Sequence, residues 1–296
     1  MKRALNSDPA SELWPRRLPG WLVRAPRETP EEAGFSAGAA LALVDMAQQN
    51  PSLPQALWRA RLAQRAAAHS VALLGRREGE ATLRDILCLL RPGEQPGPAG
   101  EIALTWHCAT TRPLSEATLA RALPESRVPQ IEFWRMPAPG TPVAQAAYMI
   151  EAVLNEAPRD TLSALILADA TLARAAGWSH LVPLLGSALQ RRDLQLRGQD
   201  LRLACSKALV TSSGGALPLL ATLARRAAQL KAVAPRLRSK QAAAAVDMFL
   251  TRDAIAPAAL TELMSDRAAR RFCDRLVALG AARELTGRDT FRLYGL

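Results

Sequence analysis

The sequence is poor in the residues on which most catalytic and metal sites depend. Its 296 residues include three histidines (His69, His107, His180) and four cysteines (Cys88, Cys108, Cys205, Cys273). There is no C-x-x-C pair and no H-E-x-x-H run, so zinc-site spacing and a disulfide framework are both missing. Reduced thiols in a cytosol are expected, with no metal and no cofactor. Aromatic residues make up only 4%, which disfavours a sheet-rich fold. Long apolar runs are missing too. Residues 39–44 and 162–168 are among the longest, far short of the roughly 20 residues that span a bilayer. The opening MKRALNSDPASELW has two basic residues and no apolar stretch behind them, so no signal peptide is read. A cytoplasmic protein with no membrane contact is expected.

What is abundant is Ala, Leu and Arg. Apolar residues reach 49% and charged residues 22%, ordinary values for a globular chain with a sizeable core. The length fits about two domains at roughly 150 residues each. The formal net charge is +11, and 34 of the 38 basic residues are Arg. GC-rich coding also enriches Arg, Ala and Leu, so the basic balance alone does not identify a polyanionic partner.

Residues 1–30 contain prolines at 9, 15, 19, 26 and 30, with Trp14 and Trp21. Each proline fixes φ and removes a donor, so this segment is expected to be an arm without regular structure, packed through its indoles. Residues 31–235 are expected to form an all-helical body. Its first half holds helices from Thr29-Pro30-Glu31-Glu32 to about residue 49, then over 53–74, 79–90 and 101–110. A loop is expected over 92–100, and Pro-rich 124–142 joins the halves, with 128–134 extended. Helices are expected again over 142–155, 159–176, 200–210 and 217–233, the last two separated by Ser212-Ser213-Gly214-Gly215. No self-similarity of 34 or 40 residues occurs, so no solenoid is read.

The pattern changes over 236–296. A basic connector (Arg236 to Lys240) leads to a helix over 241–251, a short helix over 258–264 and a longer one from Ser265 or Asp266 to Leu279. Gly280 follows it. On a helical wheel Ala269, Phe272, Cys273 and Leu276 share one side, with Arg267, Arg270 and Arg271 away from it. Short strands over 281–285 and 290–294 flank the turn Thr286-Gly287-Arg288-Asp289. This order is that of a winged helix-turn-helix. The expected fold is therefore mainly α, a multi-helical body followed by a C-terminal winged helix-turn-helix. Arg267, Arg270 and Arg271 are the expected groove contacts on double-stranded DNA, and Arg288 and Arg292 the wing contacts. The segment has 11 basic and 7 acidic residues, a net +4. Winged helices also dock proteins, so a protein partner or a homodimer is the alternative.

Several stretches carry a family resemblance: residues 75–85 (GRREGEATLRD), 91–100 (RPGEQPGPAG), 234–240 (APRLRSK), 264–271 (MSDRAARR) and 285–296 (LTGRDTFRLYGL). With them the chain resembles an uncharacterised alphaproteobacterial family, domain-of-unknown-function family 1403, over nearly its whole length. The resemblance implies an architecture and no reaction, and it implies genes on plasmids and integrated elements. Members often carry an acid where Gly79 stands here. The order of helical body, connector and winged helix is also similar to Fic-like proteins. Their catalytic loop, H-P-F-x-[DE]-G-N-G-R, is absent.

The sequence offers no recognisable nucleophilic or acid–base constellation. His107 and Cys108 are adjacent, so on a helix they point about 100° apart and cannot act as base and nucleophile. Ser212 to Gly215 lacks the Lys-Ser/Thr of a P-loop. Glu78, Glu80, Arg84 and Asp85 are read as a solvated helix start with a Glu80–Arg84 pair, or as a latch between halves. The expectation is a non-enzymatic DNA-binding protein of a mobile element, with an adaptor in a partition or chromosome-organising complex as the alternative.

Overall fold

The computed structural model describes residues 14–91, 93–136, 139–237 and 241–296. It is mainly helical, as the composition implies. Part of the N-terminal arm (1–13) and of the basic connector (238–240) lies outside the described residues. The rest of the arm is not irregular throughout. Trp14, Leu18 and Leu22 are buried, and α1 (Gly20–Arg24) forms one short turn behind Pro19.

α2 (Pro30–Gln48) begins as its sequence dictates. Thr29 Oγ1 accepts the Glu32 amide, and the Glu32 carboxylate accepts the Thr29 amide, a reciprocal cap with Pro30 in the first turn. α3 (Gln55–Leu73) and α4 (Glu80–Leu89) follow within two residues of their expected bounds. α5 (Gly97–Thr111) starts inside the expected loop. Pro98 sits in its first turn, where the missing donor costs nothing. A Cβ on Gly100 would lie 2.8 Å from Ile86 Cγ2, so glycine permits close approach to α4.

α6 (Glu116–Ala122) has no counterpart in the sequence reading. Ser115 Oγ caps it by accepting the Thr118 amide. The extended segment expected over 128–134 is instead α7 (Val128–Arg135), again with proline at its start. Its Ile131 and Trp134 are buried, and that helical spacing outweighs the local proline signal. α8 (Pro142–Glu156) and α9 (Thr161–Ala175) match expectation, capped by Thr141 and Asp160.

The two helices expected over 200–210 and 217–233 are one, α10 (Gly198–Val233), with Pro218 inside it. Ser212 to Gly215 does not break it because α10 packs along α2 and α8, and that burial outweighs the poor local propensity. α10 is the only described helix long and apolar enough to cross a membrane by length and composition, and half of its most apolar window is buried inside the protein.

Buried tryptophans fasten these helices with their indole N–H groups. Trp58 donates to the Ala216 carbonyl at 2.9 Å, Trp106 to Ser70 Oγ at 3.0 Å and Trp178 to Asp45 Oδ1 at 2.8 Å. Asp169 of α9 is fully buried. Its carboxylate accepts the amides of Leu184, Leu185 and Gly186 at 2.8–3.1 Å, pinning the segment between α9 and α10.

The chain ends in α11 (Ala242–Thr251), a 3-10 turn (Pro257–Leu260), α12 (Asp266–Ala278), β1 (Arg283–Glu284) and β2 (Tyr294–Gly295). β1 pairs antiparallel with β2, Arg283 opposite Gly295, and Ile255 bridges Tyr294 on the other side. The expected strands shrink to two residues each. Glu284 accepts the Thr286 and Gly287 amides, and Phe291 adopts φ +54°, so the chain between them loops out of the ladder. Phe249, Leu260, Phe272, Leu276 and Tyr294 join the same continuous apolar core as the tryptophans of the body.

Candidate nucleic-acid interface

α12 is the most strongly two-sided helix of the chain. Ala269, Phe272, Cys273 and Leu276 are buried, the four positions that the helical wheel places together. The other side exposes Arg267, Arg270, Arg271, Asp274 and Arg275. Arg267, Arg271 and Arg275 recur at four-residue spacing, so they stand in one row along the helix. Among the described residues no carboxylate pairs with any of the three. Arg271 Nε donates to the Arg267 carbonyl at 3.4 Å. Asp274 interrupts the row on its flank, where it accepts the Tyr294 hydroxyl at 3.2 Å.

The other expected site residues are held by acids. Arg270 pairs with Asp266 at 3.1 Å on an exposed face, a contact of at most about 1 kcal/mol that a phosphate displaces easily. Arg288 is bound more firmly. Its Nη1 and Nη2 grip Asp85 of α4 at 2.9 and 2.8 Å, and it also donates to the Phe291 carbonyl. A bidentate grip of this kind fixes geometry, so Arg288 fastens the hairpin to the body. Arg292 donates to the Arg288 carbonyl at 3.0 Å and pairs with Asp289 at 3.4 Å. The structure thus brings Arg267 and Arg271 together unpaired, and sets Arg288 and Arg292 apart in the hairpin.

Two features escaped the sequence reading. One is a second basic cluster. Arg225 and Arg226 of α10 and Arg283 of β1 line a cavity of about 470 Å³ with Gln229 and Gly280. Burial lowers the Arg226 pKa, and the like charges of Arg283 and Arg225 lower it further. No local pattern joins α10 to β1, so only the fold shows this pocket. The other is the anchorage of the C-terminal unit. Asp253, just after α11, is held between Arg61 of α3 and Arg84 of α4, with Arg84 Nε at 2.6 Å from Oδ2. Arg61 also donates to the Asp253 carbonyl at 3.1 Å. The expected Glu80–Arg84 pair is present, at 4.0 Å. Arg84 and Asp85 also latch α4 onto the C-terminal unit, through Asp253 and Arg288.

Three of the four cysteine thiols are held away from the reactive thiolate form. Burial pushes the Cys88 and Cys273 thiols up to about 12 and raises that of Cys205. Among the described residues no group of three or more His, Cys, Asp or Glu side chains is placed to hold a metal ion. No curated protein matches the chain. A family model does match, over residues 8–296, and the chain therefore belongs to the family described as protein of unknown function (DUF1403).

Proposed function

We propose that the chain is a non-enzymatic, cytoplasmic double-stranded DNA-binding protein of a plasmid or other mobile element. Its C-terminal unit acts as a winged helix-turn-helix. The observation that carries this reading is the row of Arg267, Arg271 and Arg275, exposed and without acid partners among the described residues, on a helix whose other side is committed to the core. An unpaired guanidinium fork suits phosphate oxygens and the O6/N7 edge of guanine. In this reading α12 enters the major groove, while Arg288 and Arg292 hold the hairpin in shape instead of touching the duplex.

Fluorescence anisotropy with a labelled random-sequence duplex tests it. Arg267→Ala/Arg271→Ala should weaken binding at least tenfold and leave thermal stability unchanged, because both side chains are exposed. Unchanged affinity would remove the proposal. A second reading, a protein-binding adaptor, rests on exposed aromatic pairs away from α12. Trp21 and Phe35 lie 6.0 Å apart, and Phe133 and Tyr148 lie 5.6 Å apart. A pull-down of a partner that survives nuclease treatment and is lost with Phe35→Ser favours that reading.

A further inference from the structure

A cavity of about 620 Å³ lies between the body and the C-terminal unit. α3, α4 and α5 form one wall, and residues 251–259 form the other. Its size is that of a small-molecule site. Its charges are unusual. Arg84 and Asp253 line it, and they neutralise each other. Arg59 and Arg252 line it too, and neither is paired with a carboxylate among the described residues. Arg59 Nε is buried with no hydrogen-bond partner. Buried donors are normally satisfied, so one left open is a place for a ligand acceptor. His107 also reaches this cavity, its pKa lowered by burial and then by the charge of Arg252.

The remaining lining mixes alanines of α3 and α5 and of residues 254–259 with the polar side chains of Gln64, Thr110, Thr111 and Thr251. The short alanine side chains leave room for a ring, and the Thr hydroxyls and the Gln64 amide can hydrogen-bond its polar edge. We infer that this cavity binds a mononucleotide-sized ligand, with its phosphate on Arg59 and Arg252 and its base between the alanine walls. Two guanidinium groups without acid partners among the described residues match a phosphate dianion in charge. The ligand would bridge the body and residues 251–259, next to the Asp253 latch. The site is separate from the α12 row and stands without the DNA proposal.

The test uses the full chain at low salt. AMP, GMP, CMP and UMP are titrated by calorimetry, with inorganic phosphate and adenosine as partial probes. At least one nucleotide should bind saturably and raise the melting temperature. Arg59→Gln and Arg252→Ala should each weaken it tenfold or more, and Arg267→Ala/Arg271→Ala should bind it as the wild type does. Arg252 is exposed, so its variant keeps the test valid if Arg59→Gln fails to fold. The inference fails if no nucleotide binds, if Arg252→Ala binds as tightly as the wild type, or if inorganic phosphate binds as well as every nucleotide.

Discussion

At the scale of single residues, the groups that decide the fold are polar ones placed where water is absent. Asp169 is the clearest. Burial pushes its pKa up to about 7, against the pull of the Gly186, Leu185 and Leu184 amides. Its ordinary value is 3.8. Between those two pH values the folded chain holds a proton that the unfolded chain has released. This group's contribution to stability is therefore full at low pH, falls as pH rises from about 4 to about 7, and is level above. Asp169→Asn should cost about 1–3 kcal/mol, since an amide nitrogen would face a backbone N–H. The gap between wild type and variant should be wider at about pH 5 than at about pH 8. Urea midpoints at both pH values check this, and a constant gap would contradict it. Gly186 is equally constrained: a Cβ there would sit 2.3 Å from the Trp106 ring. Neither requirement is legible in sequence. Leu162 to Ala168 and the residues after it look like any apolar helix, and nothing local says that a loop returns to cover Asp169.

At the scale of elements, end signals carried more information than breakers. The Thr29–Glu32 box and the positions of Phe272 and Leu276 could be read directly, because they depend on spacing within one helix. Prolines misled in both directions. In α5 and α7 they open helices, and Pro218 is tolerated inside α10, at a usual cost of about 3 kcal/mol, because α10 runs against α2 and α8. The ion pairs between elements differ in worth. Arg61, Arg84 and Asp253 keep side-chain exposures of 12–14%. Asp253→Ala leaves two arginine heads without their partner and should cost about 3 kcal/mol. The Arg288–Asp85 pair keeps over 30% exposure on each side, and Arg288→Ala should cost under about 1 kcal/mol. Chemical denaturation of both variants checks the ranking, and a larger loss for Arg288→Ala would contradict it.

At the scale of the whole molecule, the C-terminal unit shares one core and two sets of ion pairs with the body. The sequence shows a change of pattern near residue 236, which reads as a boundary. It does not show that Phe249 and Leu276 pack into the same apolar cluster as Trp58 and Trp106. All six tryptophans precede residue 236, so their fluorescence reports on the body, while hydrogen exchange in α12 reports on the C-terminal unit. Both should follow one cooperative transition in urea. Separate midpoints would show two units that fold independently. The basic character of the chain also has a place in the folded molecule. Several arginines are spent internally, on Asp253, Asp85, Asp160 and Glu156. The row on α12 is left facing solvent.

The most direct test of that row is the salt dependence of duplex binding, because each phosphate neutralised releases counterions. Affinity for a random-sequence duplex should be measured between about 50 and 200 mM salt for the wild type and for Arg267→Ala/Arg271→Ala. Loss of two phosphate contacts should flatten the slope of log K against log salt by about 2. Weak binding of equal strength and equal slope in both proteins would contradict a nucleic-acid role for α12.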